Sequence, residues 1–120
     1  METRAPRPGA PVRGSESGRP VMAALDLLGR RWTMRILWEL SQAPTETPTG
    51  FRELQRRCER MSSSVLSTRL AELTDARLLT PHGDGYHLTP LGRDLVEALS
   101  PLDAWSRRWA REMDTAIPQG

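Results

Sequence analysis

Cysteine is nearly absent from this chain: Cys58 is the only one in 120 residues. A single thiol excludes an intrachain disulfide framework and any multi-cysteine metal site. Lysine is missing altogether, and all 17 basic residues are arginine. Arginine grips phosphate and guanine in bidentate fashion better than lysine does. A GC-rich genome produces the same bias, however, so it carries no functional weight. Long apolar runs are missing too. No stretch approaches the roughly 18 residues that a membrane span needs. The opening residues lack the apolar centre of a secretory signal, so the expected compartment is the cytoplasm. Neither a phosphate-binding glycine loop nor a metal-ligand spacing occurs. His82, Asp84 and His87 fall on one short segment. Alternate hairpin residues face solvent separately, so no acid–base or metal cluster is expected there. The chain reads as a non-enzyme without a cofactor.

What is present is an uneven distribution of charge. The formal net charge is only +2. Residues 1–19 carry a net +2, residues 20–29 a net −1, residues 30–69 a net +4 and residues 70–120 a net −3. Positive charge therefore gathers mid-chain, and a local basic face is a better mark of nucleic-acid binding than total charge. The length suits one domain with one modest core. Residues 1–18 contain Pro6, Pro8, Pro11, Gly9, Gly14 and Gly18 and almost no bulky apolar side chains. Such a stretch cannot offset its ordering entropy and is expected to be a flexible tail. Residues 19–120 are expected to form the domain.

Apolar periodicity outlines the elements. Pro20 suits a first helical turn, Val21, Leu25 and Leu28 share a face, and Gly29 closes the helix. A second helix follows, with Thr33 as its expected N-cap and Ile36, Leu37 and Leu40 as its stripe. Residues 43–50 predict an irregular loop, with a short strand near residues 49–51. The third helix covers residues 51–58. Phe51 and Leu54 point inward, while Arg52, Gln55 and Arg56 look outward. After a break at residues 59–61, Ser62 caps a fourth helix whose Leu66, Leu70 and Leu73 fall at helical spacing. At about 100° per residue, Ser64, Ser67, Thr68 and Ala71 lie on its far side. Residues 78–80 and 86–88 predict a hairpin about a turn at residues 81–85. Thr89 and Pro90 start a fifth helix with Leu91, Leu95 and Leu99 in a row. Ser100 and Pro101 repeat that signal, so the helix kinks or restarts there. Leu102, Trp105 and Trp109 then share a face.

This order is mainly α with a small β-hairpin, the α-α-(β)-α-α-β-β-α arrangement of a winged helix-turn-helix with a C-terminal helix for dimerisation. A recognition helix needs one apolar face as anchor and one slim polar face that can approach base edges. Ser64, Ser67 and Thr68 offer hydroxyls to bases or phosphates. Arg69 borders that face, within reach of a phosphate or a guanine. The free amides at the start of the helix favour a phosphate near Ser62 and Ser63.

Four stretches resemble the HxlR family of winged-helix regulators, relatives of the MarR group. They are residues 20–33 with Leu28-Gly29-Arg30-Arg31-Trp32-Thr33, then Ile36-Leu37 with Glu39-Leu40 and Phe51-Arg52-Glu53-Leu54, then Ser62 with Leu66, Arg69, Leu70 and Leu73, and finally Tyr86, Leu88, Thr89 and Gly92. The resemblance covers about residues 20–100. It implies a homodimer on a palindromic operator, joined through the first and last helices at Val21, Leu25, Leu99, Leu102, Trp105 and Trp109. It also implies phosphate contacts from Arg31 and Thr33, and wing contacts from His82 and His87. Gln55, Arg56, Ser62, Ser63, Ser64, Ser67, Thr68 and Arg69 complete the expected double-stranded DNA surface. Many family members carry a cysteine just before the proline, but here that position is Arg19, so redox sensing there is not implied. Cys58 reads as a small buried residue. A second reading stays open: a winged-helix module whose main task is to dock a protein, or to hold an unidentified small-molecule effector at the dimer interface. Salt dependence separates the two, because DNA binding releases counterions and apolar docking does not.

Overall fold

A computed structural model describes residues 4–44 and 47–113. Thr45 and Glu46 of the expected irregular loop, and residues 1–3 of the expected tail, lie outside the described residues. The elements run α1 (Pro20–Leu28), α2 (Thr33–Ser41), β1 (Thr49–Gly50), α3 (Phe51–Arg57), α4 (Ser63–Asp75), β2 (Leu79–His82), β3 (Gly85–Leu88), α5 (Pro90–Leu99) and α6 (Pro101–Glu112). The three strands form one antiparallel sheet in the order β1-β3-β2. Thr49 pairs with Tyr86, Leu79 with Leu88, and His82 with Gly85. This mainly helical fold with a small sheet is the one expected. The hairpin turn is tighter than its five-residue signal: only Gly83 and Asp84 lie between the paired residues.

The core gathers buried side chains from the first four helices. Leu27, Ile36, Leu37, Leu40 and Leu54 meet Leu66, Leu70 and Leu73 of α4, with Leu78, Leu79 and Leu88 sealing the sheet side. The local end signals explain the boundaries. Ser62 accepts from the Val65 amide at 3.1 Å, and Thr89 accepts from the Gly92 amide at 3.0 Å with Pro90 behind it. Gly92 is required by space, since a Cβ there would lie 2.2 Å from the Leu78 carbonyl oxygen. The far end of α4 closes as a Schellman motif: the Leu78 amide donates to the Leu73 carbonyl at 3.0 Å and the Arg77 amide to the Thr74 carbonyl at 3.0 Å. Arg77 takes φ 66° to do so. At Ser100 the helical path bends and divides into α5 and α6, with Ser100 itself in the right-handed helical region.

One local expectation is corrected. Thr33 is the first residue of α2, not its cap. The cap position is Trp32, in the left-handed region at φ 78°. That turn swings Thr33 inward, where it is 1% exposed and its hydroxyl has no hydrogen-bond partner among the described residues.

Residues 4–18, for which composition predicts a tail without fixed structure, follow a defined course. Ala5 is buried in the core cluster. Val12 and Ser15 form a β-bridge, and the Gly9 amide donates to the Gly18 carbonyl at 2.8 Å. Gly9, Gly14 and Gly18 all take positive φ. Here glycine serves as a turn residue, and the segment packs on partners that other elements supply.

Candidate nucleic-acid interface

The leucine row of α4 decides which side chains face out. Leu66, Leu70 and Leu73 are buried, and Ser62, Ser63, Ser64, Ser67 and Ala71 are exposed. Thr68 is half-buried at the edge of that strip. Three small hydroxyls and a methyl therefore form the outward ridge of the helix. The turn that presents it is built without glycine. Glu59 and Arg60 both take positive φ, at 57° and 60°, and the Arg60 amide donates back to the Gln55 carbonyl at 2.8 Å. Gln55 locks the approach to α4, its Nε2 donating to the Met61 carbonyl at 2.9 Å and to Ser63 Oγ at 2.9 Å. Gln55 and Ser63 are thus brought together, and they partly satisfy one another.

Other expected contacts are placed differently. Arg31 is exposed, with its guanidinium 5.9 Å from the centre of the Trp32 ring. Arg56 is exposed but paired with Glu53. Arg56, and after it Arg57, hold the Glu53 carboxyl below the usual range. Arg69 turns back toward the body: its Nε donates to the Arg31 carbonyl at 2.7 Å and its Nη1 pairs with Glu72 Oε1 at 2.9 Å. Periodicity places Arg69 at the border of the outer face, but a neighbouring carboxylate and carbonyl draw it inward. Thr33 faces no solvent, so a phosphate at the start of α2 would meet the amides of that turn rather than its hydroxyl. On the wing, the His82 and His87 rings stand edge to face with centres 5.1 Å apart.

The expected dimer residues sit apart from this ridge. Val21, Leu25, Leu102, Trp105 and Trp109 are all exposed, and Trp105 stacks on Trp109 at 5.6 Å. Leu99 is half-buried and lines a groove of about 340 Å³ with Met34, Trp38 and Leu102. Cys58 is fully buried, and burial pushes its thiol pKa up. Glu72, which periodicity alone does not single out, is a buried carboxylate at 3% exposure. Its signal in the sequence is the i,i+3 spacing from Arg69 along the edge of the leucine row.

A helix, a tight turn, a leucine-anchored second helix and an antiparallel hairpin define a winged helix-turn-helix protein. A model of the HxlR-like helix-turn-helix family matches residues 27–114. The chain belongs to that family of DNA-binding transcription regulators. It is 31% identical over 93 residues to the uncharacterized HTH-type regulator YdzF of Bacillus subtilis, a match spanning 72% of this chain and 83% of that one. It is 26% identical over 88 residues to an uncharacterized HTH-type regulator of Methanocaldococcus jannaschii, covering 73% of this chain and 83% of the relative. Among solved structures, a possible HxlR family factor from Thermoplasma volcanium superposes with a TM-score of 0.67 at 29% identity, covering 77% and 85% of the two chains. Quinone-bound YodB of B. subtilis gives 0.65 at 27% identity, covering 73% and 96%.

Proposed function

We propose that this regulator binds double-stranded DNA as a homodimer on a palindromic operator in the cytoplasm, reading bases with α4 and performing no catalysis. The observation that carries the reading is the two-sided character of α4: leucines locked in the core, and Ser64 and Ser67 exposed on a ridge slim enough to enter a major groove. Ser62 and Ser63 stand at the amide-rich start of the helix, where a phosphate is favoured. Arg31 supplies an exposed cation nearby in sequence to α2, and Arg56 becomes a phosphate ligand by exchanging Glu53 for DNA. Thr68 and Gln55 border the ridge, and Arg69 reaches DNA only by leaving Glu72. His82 and His87 on the wing are secondary phosphate contacts. The exposed apolar stripe of Val21, Leu25, Leu102, Trp105 and Trp109 supports pairing of two copies, with Leu99 at its edge.

The effector reading draws support from the 340 Å³ groove beside Trp38 and from the quinone held by the B. subtilis neighbour. An electrophile would meet no exposed thiol here, because the lone cysteine is buried. A ligand of this groove would therefore bind noncovalently.

Fluorescence anisotropy across a salt series tests the DNA reading on a duplex selected from a random pool. Affinity should fall steeply with salt, and Arg31→Ala should reduce the slope by about one contact. Ser64→Ala with Ser67→Ala should shift sequence preference by on the order of 1 kcal/mol while leaving that slope alone. Retention of no duplex at low ionic strength would end this reading.

A further inference from the structure

The far end of α4 is held by a segment outside the span that matches the family model. Residues 4–7 run past its C-terminus. Ala5 is 2% exposed, and its backbone N–H donates to Asp75 Oδ2 at 2.7 Å. Arg7 donates to Asp75 Oδ1 at 2.8 Å and to the Asp75 carbonyl at 3.3 Å. Three residues earlier on α4, the buried Glu72 takes Arg30 Nη1 at 2.6 Å and Arg69 Nη1 at 2.9 Å. Arg30 Nη1 also donates to the Arg4 carbonyl at 3.4 Å, and Arg69 Nε donates to the Arg31 carbonyl. A continuous polar chain therefore links Arg4, Arg30, Glu72, Arg69 and Arg31. It joins the N-terminal segment to two of the cations proposed to face DNA.

Asp75 is the last residue of α4, where a carboxylate opposes the helix dipole. Helix stability alone would not place it there, whereas the Ala5 amide and Arg7 give it two partners. Glu72 is constrained more tightly still, since a buried carboxylate is costly without its counter-ions in good geometry.

We propose that residues 4–7 are a clasp that sets the pose of α4 for base readout, with Asp75 as the positioning residue that receives it directly and Glu72 as the one it reaches through Arg30. The proposal rests on α4 being the base-reading helix. A slide or rotation of α4 breaks hydrogen bonds at both carboxylates, so the clasp restricts these motions. Base-edge hydrogen bonds fail within a fraction of an ångström and a few tens of degrees. Attraction to phosphates persists over about 10 Å at moderate salt. Releasing the clasp therefore harms discrimination between sequences and spares non-specific attraction.

The test compares the full chain with Asp75→Ala and with a chain lacking residues 2–8, on a selected duplex and a scrambled duplex of equal length. Arg7→Ala, a surface change, repeats the comparison if the truncation unfolds. The ratio of affinities should fall by about fivefold or more in each variant, on the scale of a weakened base contact. Affinity for the scrambled duplex should hold in Asp75→Ala, which keeps every arginine, and amides of residues 71–76 should exchange faster. An unchanged ratio overturns the proposal. Equal losses on both duplexes with a shallower salt slope also overturn it, because Arg4 and Arg7 would then be direct phosphate ligands. Failure of the full chain to retain either duplex removes the base-reading assignment itself, without reference to any variant, and the clasp proposal falls with it.

Discussion

The helix-turn-helix and the N-terminal clasp are stabilised in different ways. In α3 and α4, buried leucines supply the anchor and polar groups trim the ends, as Ser62 does at the cap and Gln55 at the turn. In residues 4–18 almost nothing apolar is buried beyond Ala5, and polar contacts to Asp75 and Arg30 define the path. Burial of large side chains is non-directional and scales with area, so it tolerates small errors of register. A clasp of hydrogen bonds is directional and depends on the few residues that place its donors. The first kind of region resists perturbation and fails cooperatively, whereas the second opens locally at small cost.

Three perturbations sharpen that contrast. The largest is Leu70→Ala, which leaves a cavity beneath α4 where the side chain is 2% exposed. It should lower global stability by about 3 kcal/mol, read as a shifted midpoint in denaturant unfolding with helix and wing lost together. Gly18→Ala comes next. Gly18 sits at φ +75° and a Cβ there would lie 3.1 Å from the Gly9 backbone. The left-handed backbone should cost about 1–2 kcal/mol. The cost should appear as faster exchange of the Gly9 amide with the exchange of α4 core amides barely changed; a matching loss in both would show that the two regions are one cooperative unit. The smallest is acid release of the clasp. The Ala5 amide first, and then Arg7, hold the Asp75 carboxyl below its ordinary value. A depressed folded pKa contributes stability above the unfolded value, about 3.9. That contribution is lost as pH falls through the folded one. Carbon-detected NMR titration should show Asp75 titrating below the usual aspartate range, and Arg7→Ala should move it up.

The same contrast separates what is legible in the sequence from what is not. The fourth helix is legible because its information is local: leucines at 66, 70 and 73, a serine before them and a break behind. Thr89 with Pro90, the break at Ser100 and the burial of Cys58 are legible for similar reasons. Thr33 misleads because a hydroxyl before an apolar stripe resembles a cap, while the left-handed turn at Trp32 leaves no trace in periodicity. Helical angle puts Arg69 at the border of its helix, but angle says nothing about partner, and Glu72 with the Arg31 carbonyl draws it inward. Composition makes residues 4–18 look like a loose tail, because the groups that hold them belong to α4 and to the turn after α1.

The amino-acid sequence alone determined the order of helices and strands, the caps at Ser62 and Thr89 and the buried stripes of α2 and α4, because those follow from spacing within a turn or two of chain. Tertiary structure decided which distant charges meet. The Ala5 to Asp75 bond spans 70 residues, and no local pattern selects one acceptor over another at that separation. Only when the leucine core has fixed the two backbones side by side does a directional bond between them acquire a unique partner.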